Sequence, residues 1–544
     1  MKIEVRFNEE GALRNQRFAF TDRFTLVTEL LQNARRAGAQ HIIVDHDADS
    51  GVLRVGDDGH GVEDFQKLLS FHESGWDEGT VVQEHPFGIG FTKCLYAATH
   101  IVVSSGTRRV EIDTAAALQR EGFEVETVAQ AIDGTLIELR GVQIADLPQR
   151  MELLCEGFPV DVVFNGKRLE RRFAEDQLPF MPSPIGAVHV AGNRSGKAAR
   201  NNLVFLQGFC VKRPLYYSAG EINVVHLDPR QFMARLPDRD TLIDADEQLR
   251  RVEAQVKQAW RTVLEVARTQ LGAAAFVDTY FDAMKQWGHL DLLNDMDVLP
   301  AALFERIVGY PIQAAYGQRD YVEPLEVAPS RQDIEEGRVT IVSLGWPGGD
   351  NVGHWMLAKH KQWLTAEAHI LDPGHWLRPH VRYIEDQDAQ IEVQSETARA
   401  TLEGRWVWPL VIVCQSVRIR VGDHAVVIVD EGVCHDGDIL VPAGETTGEP
   451  VRQLSDFVDS NDRFRDDEMD ADRDALADLI RRLRSIDPVD TLTSLLDELH
   501  LGKYPLLHGK QFEVTVGMGG QPGCSVALVA SAAQVTAGGS HAER

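Results

Sequence analysis

The sequence predicts an α+β protein built from several domains, and three observations carry that expectation. At 544 residues the chain is too long for one hydrophobic core, and about two to four domains are expected. A helical pattern near the start is followed by strand-like runs that succeed one another, which makes a mixed sheet with helices on one face. Beyond residue 300, Val, Ile and Trp recur at alternating positions, the period of strands.

Each element follows in order. Met1 to Phe7 alternates like a strand and does not read as a signal peptide. Residues 22–38 predict a helix: Thr21 or Asp22 caps it, Leu26, Val27, Leu30 and Leu31 recur at helical spacing, and Gly38 stops it. A strand at Ile42 to Asp45, a turn at Asp49-Ser50-Gly51 and a strand from Val52 to Asp57 come next. Residues 62–70 read as helix, residues 71–87 as a polar, glycine-containing segment, and Phe91 to Ala98 as helix. Strands are expected at Ile101 to Ser104, Arg109 to Asp113, Glu124 to Val128, Leu136 to Leu139 and Val160 to Phe164. Residues 171–200, with their Pro, Gly and basic residues, read as a linker or mobile loop. Gly196-Lys197 is not a phosphate loop, because Ala198 stands where Ser or Thr is needed.

A second unit, 201–300, begins with the strand Leu203 to Leu206, continues through Ile222 to Leu227, and holds a long helix over about 244–271. Residues 301–450 are expected as a strand-rich domain, with strands in 338–346 and 405–430. Residues 451–544 are expected as an acidic, solvated linker or helix start (455–474), two helices within 475–500, and a frayed last dozen residues. His369, Asp372 and His375 suggest a metal site, but their spacing fits no familiar zinc pattern, and Pro373-Gly374 breaks any helix that would align them.

Composition narrows the function. Apolar residues make up 44% and charged residues 25%, an ordinary globular balance. The formal charge of −28 opposes nonspecific binding to nucleic acid, and the basic residues form only pairs such as Arg35-Arg36. Six scattered cysteines without a CxxC pair suit free thiols in a reducing cytoplasm. No apolar run approaches the roughly 20 residues of a membrane span.

Four short stretches carry chemistry. Glu29 and Asn33, four apart on the first long helix, put a carboxylate and an amide on one face. A carboxylate beside bound phosphate can orient and deprotonate water, and an amide oxygen can complete the shell of Mg²⁺. Asp57 ends a strand, and Gly59 and Gly61 let the backbone turn close to a ligand. A buried carboxylate there can accept the exocyclic amine of adenine. Phe87-Gly88-Ile89-Gly90-Phe91 leads into a helix whose first amides can hold phosphate. Thr135, after Gly134, can share a hydrogen bond or water with the base beside Asp57. Alone, Glu-x-x-x-Asn is usually a solvated helix face and Asp-Asp-Gly usually a turn. Together, in this order, they are specific.

The order and spacing resemble the ATP-binding fold of the GHKL superfamily: gyrase B subunits, HtpG-type heat-shock chaperones, MutL and sensor histidine kinases. Glu29 to Asn33 is similar to the N-box, Asp57 to Gly61 to the Asp-x-Gly-x-Gly box, Pro86 to Phe91 to the lid hinge, and Gly134-Thr135 to the Gly-Thr element. The resemblance covers residues 1–170 clearly and extends to about 270. It departs at His85, where relatives often carry glycine.

The resemblance implies a Bergerat-type α/β sandwich over 1–170, a lid at 71–87 and a transducer-like domain over 201–300. It implies ATP and Mg²⁺ as cofactors, slow hydrolysis, and a homodimer as one arrangement. It also implies a basic residue that reaches the γ-phosphate: Arg239, with Arg235 and Lys212 as rivals. Among relatives, domain order favours an HtpG-like chaperone or remodeller acting on a protein client. A MutL-like DNA-transaction ATPase and a nucleotide-gated scaffold with little turnover are the alternatives. A histidine kinase lacks its phospho-accepting helix here, and a type II topoisomerase would need a basic surface.

Overall fold

The computed structural model describes residues 3–4, 8–16, 22–71, 76, 79–80, 84, 90–218, 220–235, 239–312, 319–348, 351–517 and 523–529. The expected N-terminal strand and the frayed C-terminus lie largely outside these residues. So do most of the expected lid and, at its hinge, Phe87, Gly88 and Ile89. The protein is α+β, with several mixed sheets. It forms two compact units: Met1–Pro300 with Ile370–His375, and Ala301–His369 with Trp376–Arg544.

The first sheet has six strands: β1 (His41–Asp47), β2 (Val52–Asp57), β3 (His100–Asp113), β4 (Val125–Arg140), β5 (Asp161–Phe164) and β6 (Lys167–Arg168). Their order is β3-β4-β2-β1-β5-β6. The β1–β5 pair is parallel and the others are antiparallel. Alternation along the strands decides which face is covered. Ile42, Val44, Leu53, Val55, Ile137 and Leu139 are buried, while Ile43, Arg54 and Leu136 face out. The helix Thr25–Arg36 lays Leu26, Val27, Leu30 and Leu31 on the buried face, and the helix Leu147–Cys155 adds Leu147, Met151 and Cys155 to the same core.

Several expectations change. The Thr25–Arg36 helix takes no side-chain cap at its first residue. Asp22 instead accepts the Phe24 N–H at 3.0 Å in the preceding turn and pairs with Arg150. Gly38, at φ +77°, ends the helix as expected. The four strands expected between 101 and 139 are two long strands, bent at a bulge around Gly106. Residues 62–70 hold a 3-10 turn, Phe65–Leu69, capped by Asp64. The helix expected over 91–98 is a 3-10 turn, Phe91–Lys93, and a single α-turn, Cys94–Ala97. It stops because Ala98 is extended and Thr99 donates to Arg140 O at 2.8 Å, drawing the chain into the sheet.

The expected linker, 171–200, supplies two strands of the second sheet, β7 (Met181–Ser183) and β8 (Gly186–His189). Pro184-Ile185 is the turn between them, so the apparent breakers make a hairpin. With β9 (Asn202–Leu206), β10 (Phe209–Lys212) and β11 (Asn223–Leu227), the order is β10-β9-β11-β8-β7. The helices Ala245–Gln270 and Ala273–Trp287 follow, the first burying Val252, Val256, Trp260 and Leu264 along one stripe.

The second unit holds two five-stranded sheets. The acidic stretch near 470 is not a solvated linker throughout. It opens the helix Asp466–Arg484, whose Leu476 and Ile480 pack with Val411, Val441 and Phe457. Asp472 is fully buried and accepts the backbone N–H groups of Arg405, Trp406 and Val407, the last two at 2.9 and 3.0 Å. A carboxylate with three donors is satisfied without a counter-ion. Among the described residues no group of three or more His, Cys, Asp or Glu side chains is placed to hold a metal, and Asp372 Oδ1 accepts from Asn294 at 3.0 Å and Gly374 N at 2.9 Å. Among them, no helix is long and apolar enough to cross a membrane.

Candidate functional site

One cavity of about 250 Å³ in the first unit gathers the residues singled out from sequence: Glu29, Asn33, Asp57, Gly61, Gly90, Phe91, Thr135 and Arg239. Helical spacing explains the first pair, and strand pairing explains the next. Asp57 ends β2 directly opposite Thr135 of β4. Among the described residues, the rivals Arg235 and Lys212 do not line it.

The two adjacent aspartates divide their work. Asp58 turns away, accepting the backbone N–H groups of Gln40 and His41 at 2.7 and 2.9 Å and the His41 ring at 2.9 Å. The His41 backbone first, then its ring, hold the Asp58 carboxyl down to about 2. Asp57 faces the cavity. Burial raises its pKa, opposed by the Gly59 N–H that donates to Oδ1 at 3.0 Å. A carboxylate in this setting gains from a donor that a ligand brings.

Close backbone approach explains the glycines. Gly59 lies outside the lining, but a Cβ on it would sit 2.7 Å from Ala37 Cβ. Gly134 has φ +67°, and its Cβ would stand 1.9 Å from Asp57 O. Ser105 Oγ donates to Gly134 O at 2.9 Å and accepts from Val62 N at 2.8 Å, so the loop after Asp57 is tied to the Gly134 turn. Gly134→Ala is therefore expected to lose about 2 kcal/mol or more of stability, since both the left-handed φ and the collision act against it. Urea unfolding followed by fluorescence measures this; a midpoint and slope matching wild type would refute the account.

The other end of the cavity is ionic. Glu29 is 4% exposed, and its Oε1 lies 3.3 Å from Lys93 Nζ and 3.1 Å from Arg239 Nε. Gly90 packs against this carboxylate, and a Cβ there would come within 2.5 Å of Glu29 Oε2. Arg239 has φ +56°, an unusual backbone for arginine. Beside this group, Glu84 pairs with both Arg35 and Arg36. Gln32 donates to Gln207 Oε1 at 2.6 Å, and Gln207 donates to Glu84 O at 3.3 Å. The Glu29 helix, Glu84 and the turn between β9 and β10 thus form one network.

Sequence reasoning missed Arg36 and Lys93. Arg36 follows Glu29 by seven residues, the same helix face again, and Lys93 is the one charge inside the apolar run Phe91 to Ala98. Those were the available signals.

No protein-family model matches the chain, and no curated protein matches it. Solved structures similar to part of it include the ATPase region of Saccharomyces cerevisiae topoisomerase II, at 10% identity and TM-score 0.30, covering 38% of this chain and 75% of that one. The same region bound to ICRF-187 (dexrazoxane) gives 11% identity and TM-score 0.28, with the same coverages. At these scores the likeness has no bearing on function, which rests on the cavity itself.

Proposed function

We propose that this chain binds and slowly hydrolyses ATP in the manner of the GHKL superfamily and uses the nucleotide to change its conformation. The observation that carries this is the cavity where Asp57 and Thr135 stand at one strand pair, while Glu29, Asn33 and Arg239 line the same space. Asp57 accepts the adenine amine. Glu29 orients water and takes its proton during attack on the γ-phosphorus. Arg239 balances charge on the γ-phosphoryl oxygens. Gly90, pressed against Glu29, leaves room for phosphate beside the carboxylate.

The donor set fits Mg²⁺: the Asn33 amide oxygen is a hard ligand lining the cavity near a carboxylate. Asn33 would hold Mg²⁺, which would supply positive charge to offset the negative charge of the phosphates. The Glu29 carboxylate is shared by Lys93 and Arg239, both of which approach its Oε1. An incoming γ-phosphate competes for both cations and releases the carboxylate toward water. Turnover is thereby linked to nucleotide seating.

We further infer that the work done is remodelling of a protein client, as in HtpG-type chaperones, because a net charge of −28 disfavours a DNA track. Phosphate release by the full chain with Mg²⁺ and ATP is expected above background and lost with EDTA. Binding without release would leave the scaffold reading, and salt-sensitive retention on DNA would favour a MutL-like role.

A further inference from the structure

Arg36 is a cation that the assignments above leave unused. It lies on the face that carries Glu29 and Asn33, lines the same cavity, and its side chain is 2% exposed. Its Nε donates to Glu84 Oε2 at 2.8 Å. Its Nη2 is buried and has no hydrogen-bond partner among the described residues. A guanidinium is a fork of donors that cannot shed its charge, so a buried arm without an acceptor is costly unless a ligand meets it.

The surroundings point to an anion as that ligand. Around Glu29 and Glu84, two carboxylates, stand the cations Arg35, Arg36, Lys93 and Arg239. Arg239 Nε likewise makes no hydrogen bond among the described residues, although it lies 3.1 Å from Glu29. Burial, and then repulsion from Arg239, hold the Arg36 pKa below the ordinary guanidinium value, against the pull of the Glu84 hydrogen bond. Among the described residues, these four cations stand around only two carboxylates.

We propose that Arg36 is a phosphate ligand of the bound nucleotide, with Glu84 fixing its Nε so that the other arm of the fork is presented to the terminal phosphates. The proposal rests on the ATP reading above and extends it to a residue that the motif resemblance did not select. Charge-assisted, geometrically fixed contacts of this kind are the strong ones.

The test is calorimetric titration of the full chain with Mg·ATP, adenosine and tripolyphosphate. Arg36→Gln is expected to weaken ATP and tripolyphosphate by ~10-fold or more and leave adenosine within about twofold. Arg36→Lys, which keeps the charge but loses the fork, should fall between the two and covers the case in which the glutamine variant fails to fold. Unchanged ATP and tripolyphosphate affinity in both variants would overturn the proposal and leave Arg36 as an anchor for Glu84 alone. So would an equal loss of adenosine affinity, which marks a collapsed site. A wild type that binds tripolyphosphate through Arg36 but ignores adenosine upholds this inference while the ATP reading fails.

Discussion

Glu29→Gln is expected to stop ATP turnover while ATP stays bound. General-base removal costs ~10²- to 10⁴-fold in rate, and the amide cannot take the proton that water must lose. Binding survives because adenine recognition and phosphate contacts come from other residues. The substitution also removes the negative charge that Lys93 and Arg239 share, so nucleotide affinity is expected to hold or rise. Glu29→Ala should also keep binding and lose turnover, but at a greater cost in stability. Both variants remove the negative charge beside Lys93 and Arg239, but alanine also removes the side-chain oxygen and the volume that glutamine keeps, and breaking a buried pair in this way costs about 3–5 kcal/mol. Phosphate release and nucleotide titration on the same samples separate the two effects. Turnover equal to wild type in Glu29→Gln would reject Glu29 as the base, whatever happened to affinity.

The opposite pattern would be informative about the ion pairs. If affinity fell with turnover, the Glu29 carboxylate would be organising the cations for the nucleotide, not occupying them in its absence. The geometry favours competition, because Glu29 Oε1 is the atom both cations approach. A γ-phosphate brings several oxygens to a place where one carboxylate oxygen serves two donors.

How far the chain could be read from sequence depends on whether the deciding physics is local. The Glu29–Asn33 pair was legible because helical spacing alone sets its face. Asp57 opposite Thr135 was legible because a strand end and a Gly-Thr turn are local signals, although their register, Asp57 against Thr135, is set by the sheet. The β7–β8 hairpin was not legible, since Pro182, Pro184 and Gly186 read as breakers until an edge strand accepts them. The continuity of β3 through Gly106 was hidden because a bulge interrupts the alternation that marks a strand. Asp472 looked solvated among its acidic neighbours, yet its burial is decided by the backbone near residue 405, 67 positions away. Arg239 was singled out by resemblance, but its contact with Glu29 joins residues 210 apart in the chain. Lys93 had only its place in an apolar run to mark it.

Asp57→Asn is expected to cost ATP affinity without costing stability. A charged acceptor is worth about 1.5–3 kcal/mol to its hydrogen bond, which is ~10- to 100-fold in binding. Asparagine keeps the size, and its Oδ1 can still accept the Gly59 N–H, which now donates to Asp57 at 3.0 Å. Its NH₂ then faces the cavity and meets the adenine amine donor to donor. Stability goes the other way. Burial raises the Asp57 pKa, so the folded chain favours the protonated carboxyl more than the unfolded chain does. The contribution to stability is fully present below the unfolded value and is lost as pH rises through the folded one. Near neutral pH the native carboxylate is therefore a liability that asparagine removes, and the Asp57→Asn midpoint in thermal unfolding should equal or exceed that of wild type. Wild-type ATP affinity should fall on acidification through the raised pKa, and the variant should lose that dependence. Titrations across the acidic range on both proteins, with a thermal melt at each pH, supply the measurement. A variant that binds ATP like wild type would remove Asp57 from the adenine site. One that melts well below wild type at neutral pH would show that the carboxylate holds the fold together instead of waiting for a ligand.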